Sequence, residues 1–65
     1  MKADIKKLRI AMARACMNPS DLAKATEMPQ PTINGVLRGR SIRPATLGRI
    51  AKALDVDVTE IMEED

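Results

Sequence analysis

Few side chains in this sequence are able to do chemistry, and they are of limited kinds. Cys16 is the single thiol, and Ser20 and Ser41 are the two serine hydroxyls. No His is present to activate any of them, and imidazole is both the usual general base and the commonest metal ligand. The carboxylates are scattered or gathered at the C-terminal end. No catalytic constellation, metal set or cofactor follows, and an enzyme is not expected. Phe, Tyr and Trp are also absent, which removes the stacking platforms that grip single-stranded nucleic acid. Cationic chemistry is what remains in quantity. Residues 28–54 carry Arg38, Arg40, Arg43, Arg49 and Lys52 with no acid among them. Such a block attracts a phosphate backbone through Coulomb forces and counterion release, although a merely solvated basic face has the same composition. Residues 55–65 carry Asp55, Asp57, Glu60, Glu63, Glu64 and Asp65 with no base. The net charge of +2 therefore hides a strong polarity. The acidic end is expected to point away from a polyanion and to discourage wrong docking modes.

These charges need a frame, and 65 residues leave room for one domain, expected over 1–65. A chain of this size hides only about 60 % of the surface its unfolded form exposes. One Cys excludes an internal disulfide and fits a reducing, cytoplasmic setting. No apolar run approaches the ~20 residues of a membrane span, and no signal-peptide stretch opens the chain. Ile5, Leu8, Met12 and Ala15 fall at helical spacing and predict a first helix over about 3–15. Asn18-Pro19-Ser20-Asp21 combines an N-cap, a proline at the first helical position and an acid in the first turn. It opens a second helix with Leu22, Ala23 and Thr26. Pro29 forces Met28 out of helical geometry and ends that helix. A third helix begins near Gln30 or Pro31, with Ile33, Val36 and Leu37 as its inward stripe and Gly39 as its C-terminal cap. Residues 40–44 predict a loop. A fourth helix follows over about 45–54, with Arg49 and Lys52 as solvated charges, and Asp57 with Glu60 has the spacing of a capping box for a short fifth. The fold expected is all-α, five helices, with no strand pattern.

Two short helices joined by a three- or four-residue break are the content of a helix-turn-helix, here over about 18–38. From Ile5 to Ile61 the sequence resembles the Cro/cI-type (lambda-repressor-like) helix-turn-helix domain of phage repressors and xenobiotic-response-element regulators. The residues carrying the resemblance are Asn18-Pro19-Ser20-Asp21-Leu22-Ala23, Met28, Ile33 with Val36, Arg38-Gly39-Arg40, Pro44, and Ile50-Ala51-Lys52-Ala53-Leu54. Ala23 is small where the second helix must approach the third, and equally serves helix propensity. Met28 is expected to plug the core beneath the turn. Two departures stand out. Glu27 occupies a turn position where the family often has a left-handed Gly, at a strain of roughly 1 kcal/mol. Met12 and Leu37 stand where many relatives pair a buried Arg with a Glu. An apolar contact can replace a buried ion pair without loss, so these two are expected to meet.

The resemblance implies a third helix lying in the major groove of double-stranded DNA with its N-terminal residues nearest the bases. Gln30 then suits adenine N6 and N7 through its donor and acceptor, and Asn34 has the same chemistry with less reach. Pro31 offers apolar contact to a thymine methyl. Gly35 costs about 1 kcal/mol in a helix interior, so it either lets the backbone approach the groove or is a tolerated gap. Arg38, Arg40 and Arg43 are implied phosphate contacts, which fix register without reading sequence. Thr32 reaches a phosphate or bonds within its own turn. Asn18 and Ser20 open a helix whose amides and dipole suit an anion, while simple capping explains Asn18 as well. Family members usually dimerise on half-sites about 34 Å apart, for which Val58, Ile61 and Met62 are the apolar candidates, Ile61 being equally a core residue. The implied function is a sequence-specific transcriptional regulator, a repressor by promoter occlusion, in a prokaryotic or phage setting. No small-molecule ligand is expected. The alternative is a protein-interaction module on the same scaffold, an antitoxin-like partner holding another protein through its acidic end.

Overall fold

The computed structural model describes residues 1–63, so Glu64 and Asp65 of the acidic end lie outside the described residues. Its elements are α1 (Ile5–Arg14), α2 (Pro19–Thr26), α3 (Gln30–Leu37) and α4 (Pro44–Ala53), followed by a 3-10 turn over Val58–Glu60. The fold is all-α, with four α-helices where five were expected. The fifth is cut to a single turn because the chain beyond it is committed elsewhere. Asp4 N donates to Ile61 O at 2.8 Å and Glu63 N to Lys2 O at 3.0 Å, joining the two ends of the chain in an isolated antiparallel bridge at Ala3 and Met62. No alternating apolar pattern announced that bridge. It also moves the start of α1 from Ala3 to Ile5. Ala3 is buried in the bridge, while Asp4 caps the helix by accepting from Lys7 N at 3.1 Å.

All four helices end in the same way. A pair of bonds runs back from Met17 N and Cys16 N to Met12 O and Ala13 O, and from Met28 N and Glu27 N to Ala23 O and Lys24 O. Equivalent pairs join Arg40 N and Gly39 N to Gly35 O and Val36 O, and Val56 N and Asp55 N to Ala51 O and Lys52 O, all between 2.9 and 3.2 Å. This double closure satisfies the last carbonyls and requires a left-handed residue after the helix. Gly39 supplies it for α3 at φ 91°, but Cys16, Glu27 and Asp55 do so at φ 57–58° with a Cβ in place. The next residues Met17, Met28 and Val56 are half-buried against the core, which anchors each turn. Glu27 and Met28 thus stand as the sequence predicted, the one left-handed and the other plugging the turn.

Leu8, Leu22, Ile33, Leu47, Ile50 and Ile61 are fully buried and form the core with Val36. α2 packs against both α3 and α4, and α1 against α3. Ala23, buried at the α2 surface, leaves room for that approach. Met12 and Leu37 are both buried and line one hollow with Ala13 and Met17, so the two residues standing in for the relatives' ion pair are brought together. Thr26 is the one buried polar side chain in the described core; its hydroxyl donates to Leu22 O at 2.7 Å. Arg49 is exposed as expected, but it is also tied to a neighbouring helix. Its Nη2 donates to Thr26 O at 2.7 Å, so α4 supplies a cation to the negative end of α2 beside the helix-turn-helix turn.

Candidate nucleic-acid interface

The two helices of the helix-turn-helix start differently, and the difference bears on what each end can bind. At α2, Asp21 N donates to Asn18 Oδ1 at 2.8 Å while Asn18 N donates to Asp21 Oδ2 at 3.1 Å, a reciprocal box with aspartate in place of the usual glutamate. Pro19 has no N–H, so the first turn is left with the amide of Ser20, beside a carboxylate. A phosphate expected at Asn18 and Ser20 would meet that carboxylate. At α3 the cap is Pro29, with no side-chain bond and Pro31 in the first turn. The two prolines delete donors that would otherwise need partners, and no acid stands in the first turn.

α3 turns Ile33, Val36 and Leu37 inward, all buried. Gln30, Pro31 and Thr32 are exposed and Asn34 is half-buried. The polar N-terminal end of the helix is therefore open, which a groove-reading helix requires. Gly35 differs from the expectation of an open approach. It is buried, and a Cβ built on it would lie 3.0 Å from Arg40 Cδ. The alkyl stem of Arg40 covers the glycine, so the helix backbone at this position is not the open surface that was expected.

Arg38, Arg40 and Arg43 are exposed, and among the described residues none of them is held in an ion pair. Arg43 caps α4, again without a side-chain bond and with Pro44 behind it. A cation at the positive end of a helix is unfavourable by a few tenths of a kcal/mol up to about 1 kcal/mol, and an incoming anion relieves it. The loop carrying Arg40 and Arg43 is tied down by Ile42 N, which donates to Met1 O at 2.7 Å. A backbone bond of that kind leaves no signal in the sequence.

The expected dimer surface is revised. Ile61 is wholly buried, because the N-terminal segment crosses over it and Asp4 N bonds its carbonyl. It has no surface to offer a partner. Val58 and Met62 are half-buried against the same core. Beside them Asp57 accepts from Thr59 N at 2.9 Å and from Thr59 Oγ1 at 2.7 Å. Those two donors, backbone first, hold its carboxyl below the usual value of 3.8. Asp57 N in turn donates to Glu60 Oε2 at 2.9 Å, completing the predicted box. Among the described residues no group of His, Cys, Asp and Glu is arranged to hold a metal ion. No helix among them is long and apolar enough to cross a membrane.

The family model of the Cro/C1-type HTH DNA-binding domain matches residues 7–64. A search of curated proteins and a search of solved structures found no match. The family match spans nearly the whole chain and the helix-turn-helix described above, so the chain belongs to the Cro/C1-type HTH DNA-binding domain family.

Proposed function

We propose that this Cro/C1-type domain is a sequence-specific transcriptional regulator that binds duplex DNA as a homodimer, with α3 in the major groove. The observation that carries the reading is α3 itself. Its apolar stripe is buried while Gln30, Pro31 and Thr32 stay exposed, and the segment around it holds five cations and no acid. Gln30 and Asn34 are the proposed readers of base edges, Gln30 pairing with an adenine and Asn34 acting one turn later. Pro31 sits against a thymine methyl. Arg38, Arg40 and Arg43 bind phosphates, with Thr32 and the Asn18–Ser20 end of α2 as weaker contacts. Repression follows by occlusion of a promoter, in the cytoplasm of the host cell.

Size supports a dimer. The longest dimension of the domain is 29 Å, short of the about 34 Å between half-sites one helical turn apart, so one copy covers one half-site. With Ile61 withdrawn into the core, Val58 and Met62 are the residues left for the partner copy. The test is selection of bound duplexes from a random pool at stated salt, run beside the Arg38→Ala/Arg40→Ala/Arg43→Ala variant. A two-fold consensus is expected, and the variant should bind more weakly with a salt slope shallower by about 3. No enrichment above non-specific retention would defeat the reading and favour an interaction module acting through the acidic end.

A further inference from the structure

We infer that Gly35 is a positioning residue for DNA binding: its missing Cβ makes a seat on α3 in which the Arg40 side chain is held ready for a phosphate. The inference rests on the DNA-binding reading above and assigns a role inside it. A Cβ on Gly35 would stand 3.0 Å from Arg40 Cδ, 3.7 Å from Nε and 3.8 Å from Cγ. Three consecutive atoms of the arginine thus lie across one glycine Cα, and Gly35 is buried although it sits on a surface helix. The backbone brings this about. Gly39 at φ 91° reverses the chain, and Arg40 N donates to Gly35 O at 3.1 Å, so the residue after the turn folds back over the helix that it follows.

An arginine that lies free in solution loses rotamer freedom when it grips a phosphate, and that loss weakens binding. Seating the stem beforehand removes part of it while the charged head stays in water. A helix-interior glycine is otherwise a poor choice. The second helical glycine, Gly48, serves as the comparison, because a Cβ built there meets nothing within 4 Å. Alanine at either position gains the same backbone preference, but only at Gly35 does it displace an arginine. Arg40 Cδ belongs to a flexible side chain, so the helix itself accommodates Gly35→Ala.

The experiment compares wild type, Gly35→Ala, Arg40→Ala, the double variant and Gly48→Ala. Thermal melting is read by circular dichroism, and affinity by anisotropy on a labelled random-sequence duplex of about 30 base pairs across about 50–200 mM salt. Nε relaxation of the arginines is measured without DNA. Gly35→Ala and Gly48→Ala should both melt higher than wild type. Gly35→Ala alone should bind roughly two- to tenfold more weakly, with the salt slope of wild type and no further loss in the Arg40→Ala background. Arg40 Nε should be more ordered than that of Arg38 or Arg43 in wild type and fall to their level in Gly35→Ala. Equal mobility of the three arginines in wild type overturns the seat, whatever the duplex does. Unchanged binding by Gly35→Ala, or an equal loss with and without Arg40, also overturns it. A wild-type chain that orders Arg40 yet retains no duplex overturns the DNA-binding reading instead, and the positioning role with it.

Discussion

Replacing Glu27 by glycine should stabilise the domain, although it removes every side-chain contact at the position. Glu27 sits at φ 58° and ψ 34° after the last turn of α2. There a Cβ crowds the following carbonyl at a cost of about 1–2 kcal/mol. Glycine relieves that crowding but gives the unfolded chain more freedom, returning about 0.5–1 kcal/mol. The substitution also removes a carboxylate from the negative end of α2, worth a few tenths of a kcal/mol at an exposed site. The balance is a gain of about 0.5–1 kcal/mol, or roughly 3–6 °C in melting temperature for a domain of this size. Glu27→Ala isolates the cause, because it drops the charge but keeps the Cβ, and it should change stability by less than about 0.5 kcal/mol. Circular dichroism melts of the two variants beside wild type decide the matter. If the alanine gains as much as the glycine, charge rather than backbone strain governs the turn. If the glycine melts lower than wild type, the reasoning is wrong.

The Asp57 carboxyl is held below 3.8 by donors that favour its charged form. Its contribution to the C-terminal turn is therefore complete above 3.8 and lost as pH falls through the lower native value; a carboxyl-carbon NMR titration with a native midpoint at or above 3.8 would contradict this. Met12→Arg places an unpaired charge in a buried site and should cost about 3 kcal/mol, of which Leu37→Glu in the same chain should restore part. Urea denaturation of the single and double variants tests the pairing, and strictly additive losses would show that the two side chains do not meet.

Much of this fold was legible because its stop and start signals are local. Asn18-Pro19-Ser20-Asp21 and Asp57 with Glu60 cap their helices as their spacing implied, and Ile33, Val36 and Leu37 face inward as their period implied. What escaped notice depends on partners far along the chain. Arg49 bonds Thr26 O twenty-three positions away, and nothing in the α4 pattern separates it from Lys52, which is exposed as Arg49 is. The bridge between Ala3 and Met62 is made by backbone groups, whose bonding depends on which segments meet, not on side-chain type. That crossing took Ile61 from the surface into the core, and the hydrophobic character that suggested an interface there is satisfied within the chain. The seat at Gly35 was closer to hand, since a glycine cap at 39 already implies that residue 40 returns over residue 35.

The four helix ends explain why only one of them uses glycine. Burying an apolar side chain wholly is worth about 1.5–3 kcal/mol, so half-burying Met17, Met28 or Val56 returns roughly what a left-handed Cys16, Glu27 or Asp55 costs. Strain and anchor are thus matched at α1, α2 and α4. At α3 the returning residue is Arg40, exposed and cationic, with no comparable apolar anchor to offset a strained neighbour. A residue with a Cβ at position 39 would then carry its strain uncompensated and loosen the turn that aims Arg40. Glycine removes the strain at its source. The helix end that gives up its hydrophobic anchor in favour of a charge is the one whose backbone is relaxed, and it is the end of the helix proposed to meet the duplex.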